Sequence, residues 1–191
     1  MKFFLDTEFI ENGETIDLIS IGIVSEDNRE LYLGNCKCQF NKASSWVREN
    51  VLSNLTGLTK NLNYLDADCD RSFWVEPPVI ADKITEFVGG KLSLEPIGDR
   101  GYRRVRSVNK AIQPEFWAYY ADYDWVVFCQ LFGTMMDLPE GFPMYCKDIK
   151  QECDRLGNPQ LPPQGSGEHN ALEDAKWNKK AFEFLQNKKY P

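Results

Sequence analysis

Three apolar residues, Phe3-Phe4-Leu5, run directly into Asp6-Thr7-Glu8 and then Phe9. As a strand, this stretch alternates faces, so Asp6 and Glu8 fall on the same side. Like charges at that spacing repel, and packing gives no reason to pair them. A divalent cation between them turns the repulsion into a binding site. On this pattern alone, an exposed acidic strand end before a turn at Glu11-Asn12-Gly13 is the simpler account. The rest of the chain changes the balance.

The next segment, Ile16 to Val24, is mostly apolar and rich in β-branched residues, as suits a central strand buried on both faces. The short Glu11–Thr15 link predicts antiparallel pairing with the first strand. Arg29–Leu33 extends the meander after a turn at Glu26-Asp27-Asn28. Ser44 or Ser45 can cap a helix over Trp46–Leu52. Leu55–Val75 reads as a long loop. Pro77-Pro78 open a helix over Val79–Val88, closed by Gly89-Gly90. Phe116–Tyr120 reads as an aromatic strand, Trp125–Phe132 as a helix ended by Gly133, Met144–Cys146 as a short strand and Asp148–Leu156 as a helix. A mobile Gly/Pro-rich loop over Gly157–Gly167 precedes His169 and a last helix from Ala171 to about Gln186. A three-strand antiparallel meander, then helices alternating with strands, predicts a mixed α/β sheet flanked by helices. No repeat or linker divides the 191 residues, a length suited to one domain.

The net charge is −7, so no global positive field exists to hold a polyanion. A nucleic-acid partner needs a local basic patch or bridging cations. Lys91–Gln113, the least regular stretch, supplies a local reversal of sign: Lys91, Arg100, Arg103, Arg104, Arg106 and Lys110 against Glu95 and Asp99. A solvated hairpin that offsets the acidic surface is the bland account. Tyr102 among arginines also offers a stacking face beside phosphate-binding forks. Of the six cysteines only Cys36-x-Cys38 is a close pair, sharing a face if on a strand, and it fits neither a zinc knuckle nor a C-x-x-C redox motif. With no signal peptide read at Met1-Lys2-Phe3, and no apolar run near the roughly 20 residues a membrane span needs, a reduced, cytoplasmic protein with no membrane partner is expected.

His169 is the only histidine. Alone it is an ordinary surface or satisfied residue, but Asp174 follows five residues later, at the start of the last helix. Acidic residues thus stand at three element ends: Asp6 with Glu8, the Asp122/Asp124 pair, and Asp174. All-oxygen ligands select hard cations such as Mg²⁺ or Mn²⁺, and one histidine is too few for zinc. Two cations about 4 Å apart between carboxylates are the usual apparatus of phosphodiester hydrolysis. A neutral imidazole can take the proton of the attacking water.

Asp6-x-Glu8, then Tyr123-Asp124 before a helix, then His169-x4-Asp174 resembles the DEDDh 3′–5′ exonucleases. That superfamily of ribonuclease-H-like fold includes RNase T, oligoribonuclease and polymerase proofreading domains. The resemblance is strongest to a small exoribonuclease group known from mycobacteria, carried by Asp6-Thr7-Glu8-Phe9-Ile10, Asp17-Leu18-Ile19-Ser20-Ile21-Gly22, Cys129-Gln130-Leu131 and His169-x-Ala171-Leu172-x-Asp174-Ala175. It spans nearly the whole chain. It implies a ribonuclease-H-like mixed sheet, two Mg²⁺ or Mn²⁺ ions on Asp6, Glu8, Asp124 and Asp174, and His169 as general base. Asp124 is preferred to Asp122 because the family shows an aromatic-Asp pair there; Asp122 then caps the helix. Tyr119-Tyr120 departs from the His-Asn common in the superfamily, and 91–113 looks like an insertion. Phe9 and Trp125, next to the presumed ligands, are either core aromatics or a stacking surface for the terminal base. Arg103, Arg104 and Arg106 are the expected phosphate contacts. The implied substrate is RNA, single-stranded or with a 3′ overhang. DNA is the alternative, and a nucleic-acid-binding protein without catalysis is the rival from another class. Oligomeric state stays open, a homodimer included.

Overall fold

The computed structural model describes residues 1–59, 65–98, 101–109, 111–165 and 167–188. Arg100 and Lys110 of the basic segment lie outside the described residues. The meander forms as expected: β1 (Lys2–Glu11), β2 (Ile16–Ser25) and β3 (Glu30–Asn35) pair antiparallel in turn. Helix α1 (Ser45–Asn50) follows, with the Ser44 hydroxyl accepting from the Val47 N–H. A two-residue strand, β4 (Trp74–Val75), pairs parallel with β3; residues 60–64 of the loop expected over Leu55–Val75 lie outside the described residues. Helix α2 (Pro77–Phe87) opens on its two prolines. Then β5 (Gly90–Pro96) and β6 (Tyr102–Val108) form a separate antiparallel hairpin, and β7 (Glu115–Ala118) runs parallel to β1. Helix α3 (Asp122–Gln130), strand β8 (Lys147–Asp148), helix α4 (Ile149–Arg155) and helix α5 (Ala171–Gln186) complete the order. Among the described residues the main sheet runs β4-β3-β2-β1-β7-β8, the mixed sheet expected of a ribonuclease-H-like chain.

Alternation along β1 sorts the core. Phe3 and Leu5 face α2 and α3, packing with Ile80, Ile84, Val127 and Phe128. Phe4 faces the other way, onto Ile149 and Cys153 of α4 and Ala181, Phe182 and Leu185 of α5. Each fully buried side chain of this size stabilises by about 1.5–3 kcal/mol. Asp6 and Glu8 share the parity of Phe4, so they look toward α5. A third cluster joins Ile10 and Ile19 to Phe40, Val51, Leu52 and Trp74, and holds the α1 region at the far end of β1.

Gly22 sits opposite Asp6 in the β1–β2 register. A Cβ there would lie 2.2 Å from the Ala171 carbonyl oxygen and 2.4 Å from its carbon. Only glycine lets the first turn of α5 touch the sheet beside Asp6. Because backbone, not a pliable side chain, is in the way, Gly22→Ala should destabilise by about 2–3 kcal/mol, a fall of roughly 5–10 °C in Tm. Thermal denaturation checks this, and an unchanged Tm would mean that α5 does not pack there.

Several elements depart from expectation. The 91–113 stretch is regular over its hairpin, which stands on α2. Helix α3 begins three residues before Trp125, since Asp122 and Asp124 favour a first helical turn. The last strand falls at Lys147–Asp148, not Met144–Cys146. Tyr119-Tyr120 lies beyond β7, with Tyr120 at φ +57°. Cys36 and Cys38 follow β3 in a turn and do not share a strand face.

Candidate active site

The ladder between β1 and β7 stops at Phe4–Trp117, because β7 ends at Ala118. Beyond it, the edge of β1 has backbone groups without a strand partner. The Thr7 N–H and hydroxyl both donate to Asp124 Oδ1, at 2.9 and 2.5 Å. Asn178 of α5 donates to the Leu5 carbonyl at 2.9 Å. These bonds draw the N-terminus of α3 and the body of α5 to the tip of β1. Asp124 is thereby buried, at 7% exposure, whereas Asp122 is exposed. Nor does Asp122 cap α3: the cap position is Ala121, whose N–H goes to Asp148.

Asp174 lies in the first turn of α5, which Asn170 caps by accepting from the Leu172 and Glu173 N–H groups. Its Oδ2 accepts from the His169 backbone N–H at 3.0 Å, and its Oδ1 from the Gln164 amide. The His169–Asp174 spacing thus acts through the backbone, and it leaves the imidazole free to turn elsewhere. His169 adopts φ +66°, and its ring meets the edge of Trp46 at 4.8 Å. Glu8, His169 and Asp174 each offer a ligand atom within 4.8 Å of the others. A cleft of about 280 Å³ opens along Asp6, Tyr119, Gln164, His169 and Asp174. A larger one of about 730 Å³, along Cys36–Asn41 and Trp74, contains none of these carboxylates.

The electrostatics are those of anions forced together. Burial, then the charges of Asp124, Asp174 and Glu8, pushes the Asp6 carboxyl well above its usual range. Burial, with Asp174 and Asp124, pushes Glu8 up to about 8. Asp124 is pushed up to about 7 by burial, against the Thr7 hydrogen bonds and with Asp148 and Asp174. Asp174 is pushed up to about 6, chiefly by burial, against the bonds from His169 and Gln164. A hard divalent cation answers this directly, and the donor set of carboxylate oxygens with one imidazole fits Mg²⁺ or Mn²⁺.

The aromatic and basic candidates divide. A β-bulge between Glu8 and Phe9 breaks the alternation there. Phe9, half-buried, stacks on the exposed Tyr123 at 5.8 Å and 26°. Trp125 turns inward, stacked on Phe128 at 4.8 Å and 12°. Arg103 pairs with Glu95 at 2.8 Å, and Arg104 and Arg106 both pair with Asp82 of α2. The structure does not bring these arginines to the carboxylate cluster. Thr7, Gln164 and Trp46 are site residues that the sequence reading did not single out. Only Thr7 carried a signal, a polar residue on the buried face of a strand.

The model of the 3′-5′ exoribonuclease Rv2179c-like domain matches residues 1–186. Two curated relatives, the 3′-5′ exoribonucleases Rv2179c and MT2234.1 of Mycobacterium tuberculosis strains H37Rv and CDC 1551, are each 33% identical over 185 residues, covering 97% of this chain and 93% of theirs. With that match lying across every residue of the carboxylate cluster, the chain belongs to the Rv2179c-like 3′–5′ exoribonuclease family.

Proposed function

We propose that this chain removes nucleotides from RNA 3′ ends by metal-dependent hydrolysis of phosphodiester bonds. One observation carries the reading: β1, α3 and α5 bury four carboxylates together beside the only histidine, and burial raises the proton affinity of all four, with neighbouring carboxylates adding to it at Asp6, Glu8 and Asp124. Asp6, Glu8, Asp124 and Asp174 would hold two Mg²⁺ or Mn²⁺ ions. When bound, such ions supply the Lewis acidity that eases ionisation of water and stabilises a leaving 3′-oxygen. An imidazole nitrogen of His169 accepts the proton of the attacking water. Thr7 and Gln164 hold the Asp124 and Asp174 carboxylates in place by hydrogen bonds. Phe9, supported by Tyr123, offers the terminal base a stacking face that reads no sequence. Arg103 and Arg104 keep exposed side chains and serve as outlying phosphate contacts. Arg106, with only 18% of its side chain exposed on Asp82 and against the Phe132 ring, is structural.

The direct test incubates 3′-labelled single-stranded RNA, a duplex with a 3′ overhang, and DNA with Mg²⁺, Mn²⁺ or EDTA. Nucleotide release from RNA with either metal, and none in EDTA, is expected. Release from DNA alone would move the reading to a proofreading-type enzyme. RNA binding without release would make the chain a binding protein.

His169→Ala should lower kcat by about 100-fold or more, the usual contribution of a positioned base. An unchanged rate at neutral pH would rule out the base role. Asp124→Asn should be about 100-fold more damaging than Asp122→Asn at equal metal. Steady-state kinetics of the two variants decide, and the reverse order would move the ligand to Asp122.

A further inference from the structure

Asp148 lies outside the carboxylate cluster, on β8 opposite Ala118 of β7. Its side chain is wholly engaged with backbone. Oδ1 accepts from the Lys150 and Gln151 N–H groups at 2.6 and 3.2 Å, capping α4. Oδ2 accepts from the Ala121 N–H at 3.0 Å. Ala121 is where α3 begins, and α3 has no side-chain cap within its own turn. One carboxylate therefore joins two helix N-termini, where the partial positive charge of both favours it.

What it holds is unfavourable backbone. Tyr120, the residue before Ala121, is in the left-handed region at φ +57°. A bulky residue stays there only where its surroundings over-determine the conformation. This reversal swings the chain from β7 into α3, so that Asp124, three residues after Ala121, meets Thr7. The Asp148 charge also lies close enough to raise the proton affinity of Asp124.

We propose that Asp148 is a positioning residue: its bond to Ala121 fixes the entry of α3 and hence the seat of the Asp124 carboxylate on Thr7. The consequence for catalysis rests on the nuclease reading; the placement does not.

The test uses Asp148→Asn, which keeps the size of the side chain and an Oδ1 acceptor for α4 but turns an amide NH₂ toward the Ala121 N–H. Amide hydrogen exchange in metal-free protein gives the first readout. Exchange at Thr7, whose N–H is bound by Asp124, should quicken along with Ala121, while Lys150 keeps its protection. In calorimetric titration, Mn²⁺ affinity should fall by about 10-fold. On RNA, kcat should fall with KM unchanged. A purely structural cap would lower Tm and quicken Ala121 but leave Thr7 exchange and Mn²⁺ affinity at wild-type values, and that result overturns the proposal. If Asp148→Asn does not fold, Asp148→Glu keeps the charge but cannot serve both helices, and Thr7 exchange decides again. Wild type that binds no Mn²⁺ would sink the nuclease reading, while Thr7 exchange would still decide the role of Asp148.

Discussion

Asp6→Asn is expected to abolish RNA cleavage while raising the stability of the metal-free protein. Asp6 stands on β1 near the middle of the sheet, opposite Gly22, and its carboxylate meets burial and three other carboxylates at once. Asparagine keeps the shape, so the contacts of β1 and the close approach of α5 persist. What disappears is one negative charge. In metal-free protein that charge, once ionised, is a liability, since it repels Asp124, Asp174 and Glu8. Its removal should raise Tm in EDTA by a few degrees, at roughly 2–4 °C per kcal/mol for a chain of this size. In the presence of cations the same charge is what attracts them, and its loss should lower kcat by about 1000-fold. Melting curves in EDTA and single-turnover cleavage in saturating Mg²⁺ read the two effects separately. Near-normal hydrolysis would remove Asp6 from the centre of the mechanism. A marked fall in Tm would mean that the carboxylate is held by favourable contacts rather than strained by repulsion.

The fold was most legible where one physical demand dominates. The β1 and β2 strands are long and apolar, and their pairing follows from a short link, so order and hand of pairing could be read directly. The last helix starts at Ala171, as its sequence suggests: Asn170 caps it, and Ala171, Ala175, Ala181, Phe182 and Leu185 bury one face. Legibility failed where a partner distant in sequence decides. The β5–β6 hairpin has consecutive arginines, Arg103 and Arg104, that blur any alternation, and it becomes regular by lying on α2 and pairing with Asp82. Strand β8 forms at two polar residues because the edge of β7 is there to receive them, while apolar Met144 and the exposed Tyr145 stay outside the ladder.

The candidate site shows the same division. Its charged members were legible because like charges set two apart, and a lone histidine near an aspartate, have no packing rationale. Their supports were not. Thr7, Gln164 and Trp46 come from a strand, a loop and a short helix, and each matters through one neighbour that only the folded chain provides. The choice between Asp122 and Asp124 rested on resemblance. In the fold it is Asp124 that enters the cluster, because the early end of β7 leaves the Thr7 N–H to donate to it.

In EDTA, the protein should be most stable near pH 5 and should lose about 10 °C in Tm by pH 8. Glu8, Asp124 and Asp174 are raised to about 8, 7 and 6. An acid raised in the folded state binds its proton more tightly there than in the unfolded chain. Its contribution is fully present below the unfolded pKa, near 4, and declines as pH rises toward the folded value. Forcing Glu8 alone to ionise fully costs about 5 kcal/mol on this basis. The surface carboxylates act with the opposite sign: hydrogen bonds from Lys2 and Lys147 hold Glu26 and Glu115 below their usual range. That contribution exists above the unfolded pKa and is lost on acidification, which sets the lower side of the optimum. Cations should reverse the alkaline loss, because they bind the ionised cluster of the folded state and displace its protons. Mn²⁺ at about a hundred times its Kd adds roughly 2.7 kcal/mol, and more of this gain should be realised at pH 8 than at pH 5. Scanning calorimetry at both pH values, with Mn²⁺ and with EDTA, gives all four melting temperatures. A Tm in EDTA that rises from pH 5 to pH 8, or one that Mn²⁺ leaves unmoved at pH 8, would show that these carboxylates are not strained against one another and are not a cation site.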